Sequence, residues 1–359
     1  MVGELLKGLN GPVFVTGDTG FKGSWLSLVL NELGIKHFGY SLQAEENSLY
    51  QRARLASVTE GMVGDIRDFK ALSSAIDKVK PSVIIHLAAQ ALVMNSYQEP
   101  LETFETNCIG TANVLKSAFQ TPSVKVVLVI TTDKVYRNEN NKKKFVETDP
   151  LGGEDPYSAS KVAAEAACAA WQKISDALGG PVVLVARAGN VIGGGDLSMN
   201  RLIPDIIRAK MTKHKLCLRN PNSTRPWQHV LDPLFGYLRF IEYALRDSAP
   251  HNCLNFGPLE KSLSVSEVME VVRDLIKLEG VKIMEQALQK FEHTNLELDS
   301  TLASNVLSWK PFWNQEQAIK RTFSWWQSVL DLGSDPIDAC REDIEFFISQ
   351  NNNLRGVVT

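Results

Sequence analysis

Apolar residues along this chain of 359 residues gather in short runs, separated by stretches of helical period. Residues 12–16, 36–40, 83–90, 126–130 and 181–186 are such runs, rich in Val, Ile, Leu and Phe. A continuous apolar run bounded by turn residues predicts a strand covered on both faces, as in a parallel sheet. Between them, residues 24–30, 69–79, 100–119 and 157–171 read as helices. Strands alternating with helices predict an α/β protein built on a doubly wound parallel sheet. The alternation weakens after residue 186. Helical patterns follow at 202–211, 231–245, 265–278 and 315–330, and an acid-rich final helix runs to about residue 345. The expected organisation is a first domain over 1–186 and a smaller mixed α/β C-terminal lobe over 187–359. Some segments of the lobe are expected to return to the first domain.

Composition narrows the partners. A net charge of -3 gives no electrostatic case for nucleic acid or an anionic membrane. Cys108, Cys168, Cys217, Cys253 and Cys340 are odd in number and widely spaced, so neither a disulfide framework nor a metal site is expected. That usage fits a reducing cytoplasm. The first ten residues contain Glu4 and no long apolar stretch, unlike a secretory signal. The run 124–130 is broken by Lys125 and is too short to span a bilayer.

The chemistry gathers at strand ends. The first strand runs into Gly17-x-x-Gly20-x-x-Gly23, and a helical pattern follows. Glycines there permit a tight turn, and a helix amino terminus accepts a pyrophosphate. The spacing differs from the standard Gly-x-Gly-x-x-Gly. After the second strand, Tyr40-Ser41-Leu42-Gln43 offers no carboxylate for a ribose hydroxyl and no arginine for a 2′-phosphate, so NAD and NADP stay open. Asp65 suits an adenine amino group or, as the local pattern favours, a helix cap. His86, inside an apolar run, reads as a packed core residue. Asn107 and Gly110 sit mid-helix, where both are locally unfavourable, which points to a packing or backbone-bonding task.

Thr131-Thr132-Asp133-Lys134 follows the strand at 126–130, and Tyr157 and Lys161 share one helix face four residues apart. An ammonium beside a phenol favours phenolate, which makes the pair a candidate base. The many alanines after Tyr157 allow close helix packing, within one subunit or between two. Arg225, in a turn-rich segment, suits pyrophosphate oxygens or an exposed loop.

Together these stretches resemble the extended short-chain dehydrogenase/reductase family. The matches are 16–23, 65–68, 86–90, Asn107, and Tyr157 with Lys161, in family order. Within it, residues 21–26, 131–134, 187–196 and 225–231 resemble the CDP-glucose 4,6-dehydratase subgroup. Lys134 stands where the dTDP- and GDP-sugar dehydratases carry glutamate. Asp18 replaces a usual histidine, Leu197 a tryptophan and Glu297 a common lysine, and Ala303 occupies a further basic position.

The resemblance implies a Rossmann-type first domain that binds NAD and a lobe that binds a nucleotide sugar. It implies cofactor contacts from the glycine turn (Gly17, Thr19, Gly20, Phe21, Lys22, Gly23), from Asp65 and Ile66, and from Leu87, Ala88, Ala89 and Gln90. Asn107, Thr131, Tyr157 and Lys161 complete that set. Catalysis would fall to Thr132, Asp133, Lys134, Tyr157 and Lys161, and substrate binding to Asn190, Arg201, Arg225 and His229. No metal is implied. The reaction would be an internal redox cycle that removes water from CDP-glucose. A homodimer or dimer of dimers would form through helices matching 107–119 and 157–171. A sugar-nucleotide 4-epimerase, another dehydratase, an NADPH-consuming reductase and a non-catalytic dinucleotide sensor are the alternatives.

Overall fold

The computed structural model describes residue 6 and residues 9–139, 143–213, 216–219, 221–246, 250–276, 283–286 and 296–351. Strands β1 (Val13–Thr16), β2 (His37–Ser41), β3 (Glu60–Val63), β4 (Val83–His86), β5 (Val126–Ile130), β6 (Val182–Ala188) and β7 (Cys253–Phe256) form one sheet. Every pairing is parallel, in the order β7-β6-β5-β4-β1-β2-β3. The order reverses between β1 and β4. Strand ends diverge at such a reversal and leave a crevice for ligands.

Helices α1 (Phe21–Glu32), α2 (Phe69–Val79), α3 (Gly110–Gln120) and α4 (Pro156–Leu178) alternate with the strands. Beyond β6 come α5 (Leu202–Thr212), α6 (Leu231–Leu245), α7 (Val265–Leu275), α8 (Gln315–Asp331) and α9 (Pro336–Gln350). These coincide closely with the helical periods of the sequence, although residues 277 and 278 lie outside the described residues. Side chains alternate across a strand. Phe14, Ile84 and Val127 therefore face one way, onto Leu72, Ile76, Val114 and Leu115 of α2 and α3. Val15, Ile85 and Leu128 face the other way, onto Trp25 and Leu28 of α1 and Leu234 and Tyr237 of α6.

Two elements differ from the sequence expectation. The helix expected over 100–119 is divided: Pro100–Phe104 leads into a wide π-type turn, Glu105–Ile109, before α3. Asn107 and Gly110 cause the irregularity. Asn107 turns its amide to the backbone of Gln90, and a Cβ on Gly110 would lie 2.5 Å from Cδ1 of Ile66. π-type turns of this kind re-aim a side chain without ending the helix. Strand β3 gives no apolar run because it is an edge strand: three of its four residues are exposed.

One polar network lies inside the sheet layer. Arg187 of β6 donates through Nε (3.0 Å) and an η nitrogen (2.6 Å) to Glu165 of α4. Its other η nitrogen reaches the Tyr136 hydroxyl at 2.8 Å, and that hydroxyl donates to Asn255 of β7 at 2.7 Å. Thr131, at the end of β5, donates to Glu165 at 2.6 Å. Both charged side chains are almost fully buried, at 6% and 5% exposure. Removing one partner strands the other charge, which typically costs about 3–5 kcal/mol. Glu165→Leu is therefore expected to lower the unfolding free energy by about that amount in a denaturant titration. A loss below about 1 kcal/mol, the level of an exposed pair, would contradict this reading.

Candidate active site

The crevice begins at the glycine turn. Gly17 has φ +79, and a Cβ there would lie 2.6 Å from the backbone nitrogen of Ala88. A Cβ on Gly23 would lie 2.0 Å from the Gly17 carbonyl oxygen. Both positions exclude side chains so that α1 can start against the turn. Its cap residue, Gly20, provides no side-chain acceptor for the first backbone N–H groups of the helix. Uncapped N–H groups at a helix start suit a pyrophosphate. Phe21 is half-buried beside them.

The loop after β4 is the facing wall. Leu87, Ala88, Ala89 and Gln90 are half-buried along it. Asn107 accepts from the Gln90 N–H at 2.9 Å and donates to the Gln90 carbonyl at 3.0 Å and to the Ser160 hydroxyl at 2.9 Å. His86 is buried between the hydroxyls of Thr16 (2.7 Å) and Thr111 (3.0 Å). Burial pushes its pKa down to about 3. It is the core histidine expected, and it steadies this loop. At the far end, the Thr19 N–H donates to Ser41 at 3.4 Å.

Asp65 is not the helix cap that the local pattern favoured. Asp68 caps α2, accepting from the Ala71 N–H at 3.0 Å. Asp65 instead accepts from the Arg67 N–H at 2.8 Å and its guanidinium at 2.7 Å, and that side-chain bond holds its carboxyl below the usual range. The two aspartates are three residues apart, and only the second stands directly before the helix. Ile66 is buried against Gly110.

A second cluster sits where β5 ends and α4 begins. Thr132, Asp133, Tyr157 and Lys161 are all less than a tenth exposed, and Lys134 is half-buried. Asp155 caps α4 and so sets where Tyr157 stands; the Tyr157 N–H donates to Ser96 at 3.1 Å. The Thr132 hydroxyl donates to Asp133 at 3.0 Å and accepts from the Lys134 N–H at 3.3 Å. A Cβ on Gly189 would lie 3.1 Å from Asp133 Oδ2, so the loop after β6 closes over that carboxylate.

Burial is the largest influence on the ionisable groups of this cluster. It raises the pKa of Asp133, against the lowering fields of Lys134 and Arg225 and the Thr132 bond. It lowers Lys161 to about 8, whose Nζ donates to the Ile130 carbonyl at 3.2 Å. It raises Tyr157 to about 12, with the Thr132 bond and Arg201 acting in the opposite sense. The sequence expectation of a phenol depressed by Lys161 therefore does not hold for the protein alone. Loss of solvent outweighs the nearby cations, and the lysine is turned toward a backbone carbonyl.

Lys22 reaches from the glycine turn toward the second cluster. Its Nζ lies 3.4 Å from the Tyr237 hydroxyl of α6, in the field of Arg201, Lys161 and Asp133. Burial first, and those cations second, lower its pKa to about 7. Residue spacing within α1 gives no sign of this, because Tyr237 is 215 positions away. Glu165, which was overlooked, could have been found: it lies one turn beyond Lys161, on the stripe 157, 161, 165.

Of the expected substrate residues, Arg201 and Arg225 reach the cluster electrostatically, acting on Tyr157 and Asp133. Arg201 also pairs with Asp196 at 3.6 Å, and Arg225 donates to the Thr224 carbonyl at 2.8 Å. Asn190 is exposed on the loop after β6. His229 is not brought to the cleft. It is fully buried with its ring edge-on to Trp313 at 4.5 Å and Trp25 at 5.9 Å. Apolar packing holds its pKa down to about 3. Among the described residues no group of His, Cys, Asp and Glu could hold a metal ion, and no helix is long and apolar enough to cross a membrane.

Comparison with known proteins follows the same lines. The family described as GDP-mannose 4,6 dehydratase matches residues 14–322. The chain is 38% identical to a CDP-glucose 4,6-dehydratase of Salmonella typhimurium over 347 residues, covering 94% of this chain and 96% of that one. A probable dTDP-glucose 4,6-dehydratase of Sinorhizobium fredii is 26% identical over 89% of this chain and 95% of its own. Among solved structures, a dTDP-glucose 4,6-dehydratase of Streptomyces venezuelae with NAD and TYD bound superposes with TM-score 0.76. It is 23% identical and covers 91% of this chain and 99% of that one. A Thermotoga maritima UDP-glucose 4-epimerase with UDP-glucose superposes with TM-score 0.78 at 21% identity, covering 89% and 99%.

The raised phenol is directly measurable. In the protein without added cofactor, ultraviolet titration of tyrosine should show no difference between wild type and Tyr157→Phe until the pH nears about 12. A tyrosine ionising near neutrality in wild type and missing from the variant would contradict it.

Proposed function

Since this chain belongs to the GDP-mannose 4,6 dehydratase family, within the extended short-chain dehydrogenase/reductases, we propose that it is an NAD-dependent CDP-glucose 4,6-dehydratase. The observation that carries the reading is the grouping of Thr132, Asp133 and Lys134 beside Tyr157 and Lys161 in one water-poor cleft. An epimerase needs the Tyr157–Lys161 pair, but it has no step that calls for a second acid and base. The uncapped start of α1 and the side-chain-free turn at Gly17 and Gly23 fit a dinucleotide pyrophosphate.

When bound, NAD would supply a reversible two-electron acceptor, for hydride from C4 and back to C6, and a positive charge that favours phenolate at Tyr157. Tyr157 takes the proton of the sugar 4-hydroxyl, and Thr132 holds that oxygen. Lys161 orients the cofactor ribose. With C4 a ketone, the C5 proton is acidic, because the resulting carbanion delocalises into the carbonyl. Lys134 removes it. Asp133, whose pKa burial raises, gives a proton to the departing 6-hydroxyl, which leaves as water. Lys134 returns a proton to C5 as C6 is reduced, and the product is a 4-keto-6-deoxy sugar nucleotide. Arg225, Arg201 and Asn190 hold the nucleotide-sugar phosphates and sugar.

The proposal extends to a cytoplasmic homodimer. Leu101 and Ile109 are 71% and 54% exposed beside α3 and α4, and a second copy would cover them. Sedimentation should give twice the chain mass, and Ile109→Glu should return it to one chain.

Incubation with CDP-glucose and catalytic NAD, without reductant, should yield a product lighter by one water. An unchanged mass with a new stereoisomer would establish the epimerase reading instead. Tyr157→Phe should reduce turnover by about 10²–10⁴-fold. Lys134→Met should abolish solvent deuterium incorporation at C5, and normal incorporation would remove Lys134 from the base role.

A further inference from the structure

The end of β2 lacks the group that usually inspects the adenosine ribose. In nucleotide-binding sheets of this order, a carboxylate there accepts a hydrogen bond from the ribose 2′-hydroxyl, whereas a nearby arginine accommodates a 2′-phosphate. Here β2 ends at Ser41, and Leu42 and Gln43 follow. A carboxylate nevertheless reaches that place from the other side of the crevice. Asp18, on the glycine turn, is 3% exposed and accepts from the Ser41 hydroxyl at 2.5 Å. The carboxylate lies over Gly39, where a Cβ would be 2.1 Å from Oδ2, so the absent side chain at Gly39 makes room for it.

We propose that Asp18 and Ser41 together select NAD over its 2′-phosphorylated form, Asp18 acting through the serine hydroxyl as a positioning residue. The inference rests on the dinucleotide reading given above. The hydrogen-bond inventory carries it. A serine hydroxyl has one proton and two lone pairs. The proton is spent on Asp18, and one lone pair faces the Thr19 N–H at 3.4 Å. The remaining lone pair can only accept. A ribose 2′-hydroxyl can donate to it. A 2′-phosphate, mostly dianionic at neutral pH, offers acceptors alone and adds charge next to a carboxylate.

The surroundings support the same outcome. The Thr19 hydroxyl donates to the Leu42 carbonyl at 3.2 Å, tying the glycine turn to the strand end. Burial raises the Asp18 carboxyl above its ordinary range, while bonds from Ser41 and from the backbone N–H groups of Asp18 and Tyr40 favour its ionised form. Among the described residues no cation pairs with Asp18. Arg67 is committed to Asp65 and, at 3.2 Å, to Glu102. A phosphate at the end of β2 would therefore find no compensating charge.

Calorimetric titration of the full chain with NAD and, separately, NADP tests this without relying on turnover. Wild type should bind NAD more tightly. Asp18→Asn keeps the shape, but its amide can donate to Ser41 and turn the hydroxyl proton outward. The ratio of the two dissociation constants should then fall by about tenfold or more, mainly through tighter NADP. Ser41→Ala should lower the same ratio through weaker NAD, and it serves as the test if the first variant fails to fold. An unchanged ratio in folded variants, or wild type binding NADP as tightly as NAD, would overturn the inference. Wild type that binds neither dinucleotide would overturn the cofactor reading itself, and this inference with it.

Discussion

The approach of Gly17 to the backbone of Ala88 is the constraint on which the rest of the molecule depends. It joins β1 to β4 where the strand order reverses, and no residue with a side chain fits there. From that contact the start of α1 is fixed over the crevice, and the loop after β4 becomes its opposite wall. Asn107 then holds the loop from the π-type turn and reaches Ser160 of α4. One backbone contact thus sets the distance between the dinucleotide side of the cleft and the helix that carries Tyr157 and Lys161.

Desolvation is the common physical cause within the cleft. It raises Tyr157 and Asp133 and lowers Lys22 and Lys161, so each group is pushed toward its uncharged form. Groups shifted in this way exchange protons more readily, because small changes in local charge redistribute them. The buried Glu165–Arg187 pair stands behind this cluster and is satisfied by mutual hydrogen bonds. Chemistry and scaffold therefore use opposite solutions to the same loss of water.

Much of this was legible in the chain. Strands such as Val126–Ile130 are covered on both faces, and complete covering leaves an unbroken apolar run. Helices packed on one face show their period. Tyr157 and Lys161 were legible because a helix turns their spacing into proximity. What escaped has equally physical causes. Edge strand β3 is exposed and so has no apolar signature. Asp65 and Asp68 have the same chemistry, and only the geometry of α2 decides which is the cap. His229 was expected at the substrate through the resemblance of residues 225–231, but in space its ring packs edge-on against two tryptophans, with Asp343 at 3.8 Å. Lys22 and Asp18 take their surroundings from distant segments, which local pattern does not encode.

The pairing of β7 with β6 has a temporal consequence. The edge of β6 stays bare until Cys253–Phe256 has been synthesised, more than sixty residues after β6 is complete. Amino-terminal layers that collapse first would do so around a sheet lacking its last member. An unpaired inner strand is a template for association with other chains. The interval between β6 and that short segment thus sets how long the edge stays open to pairing with another chain.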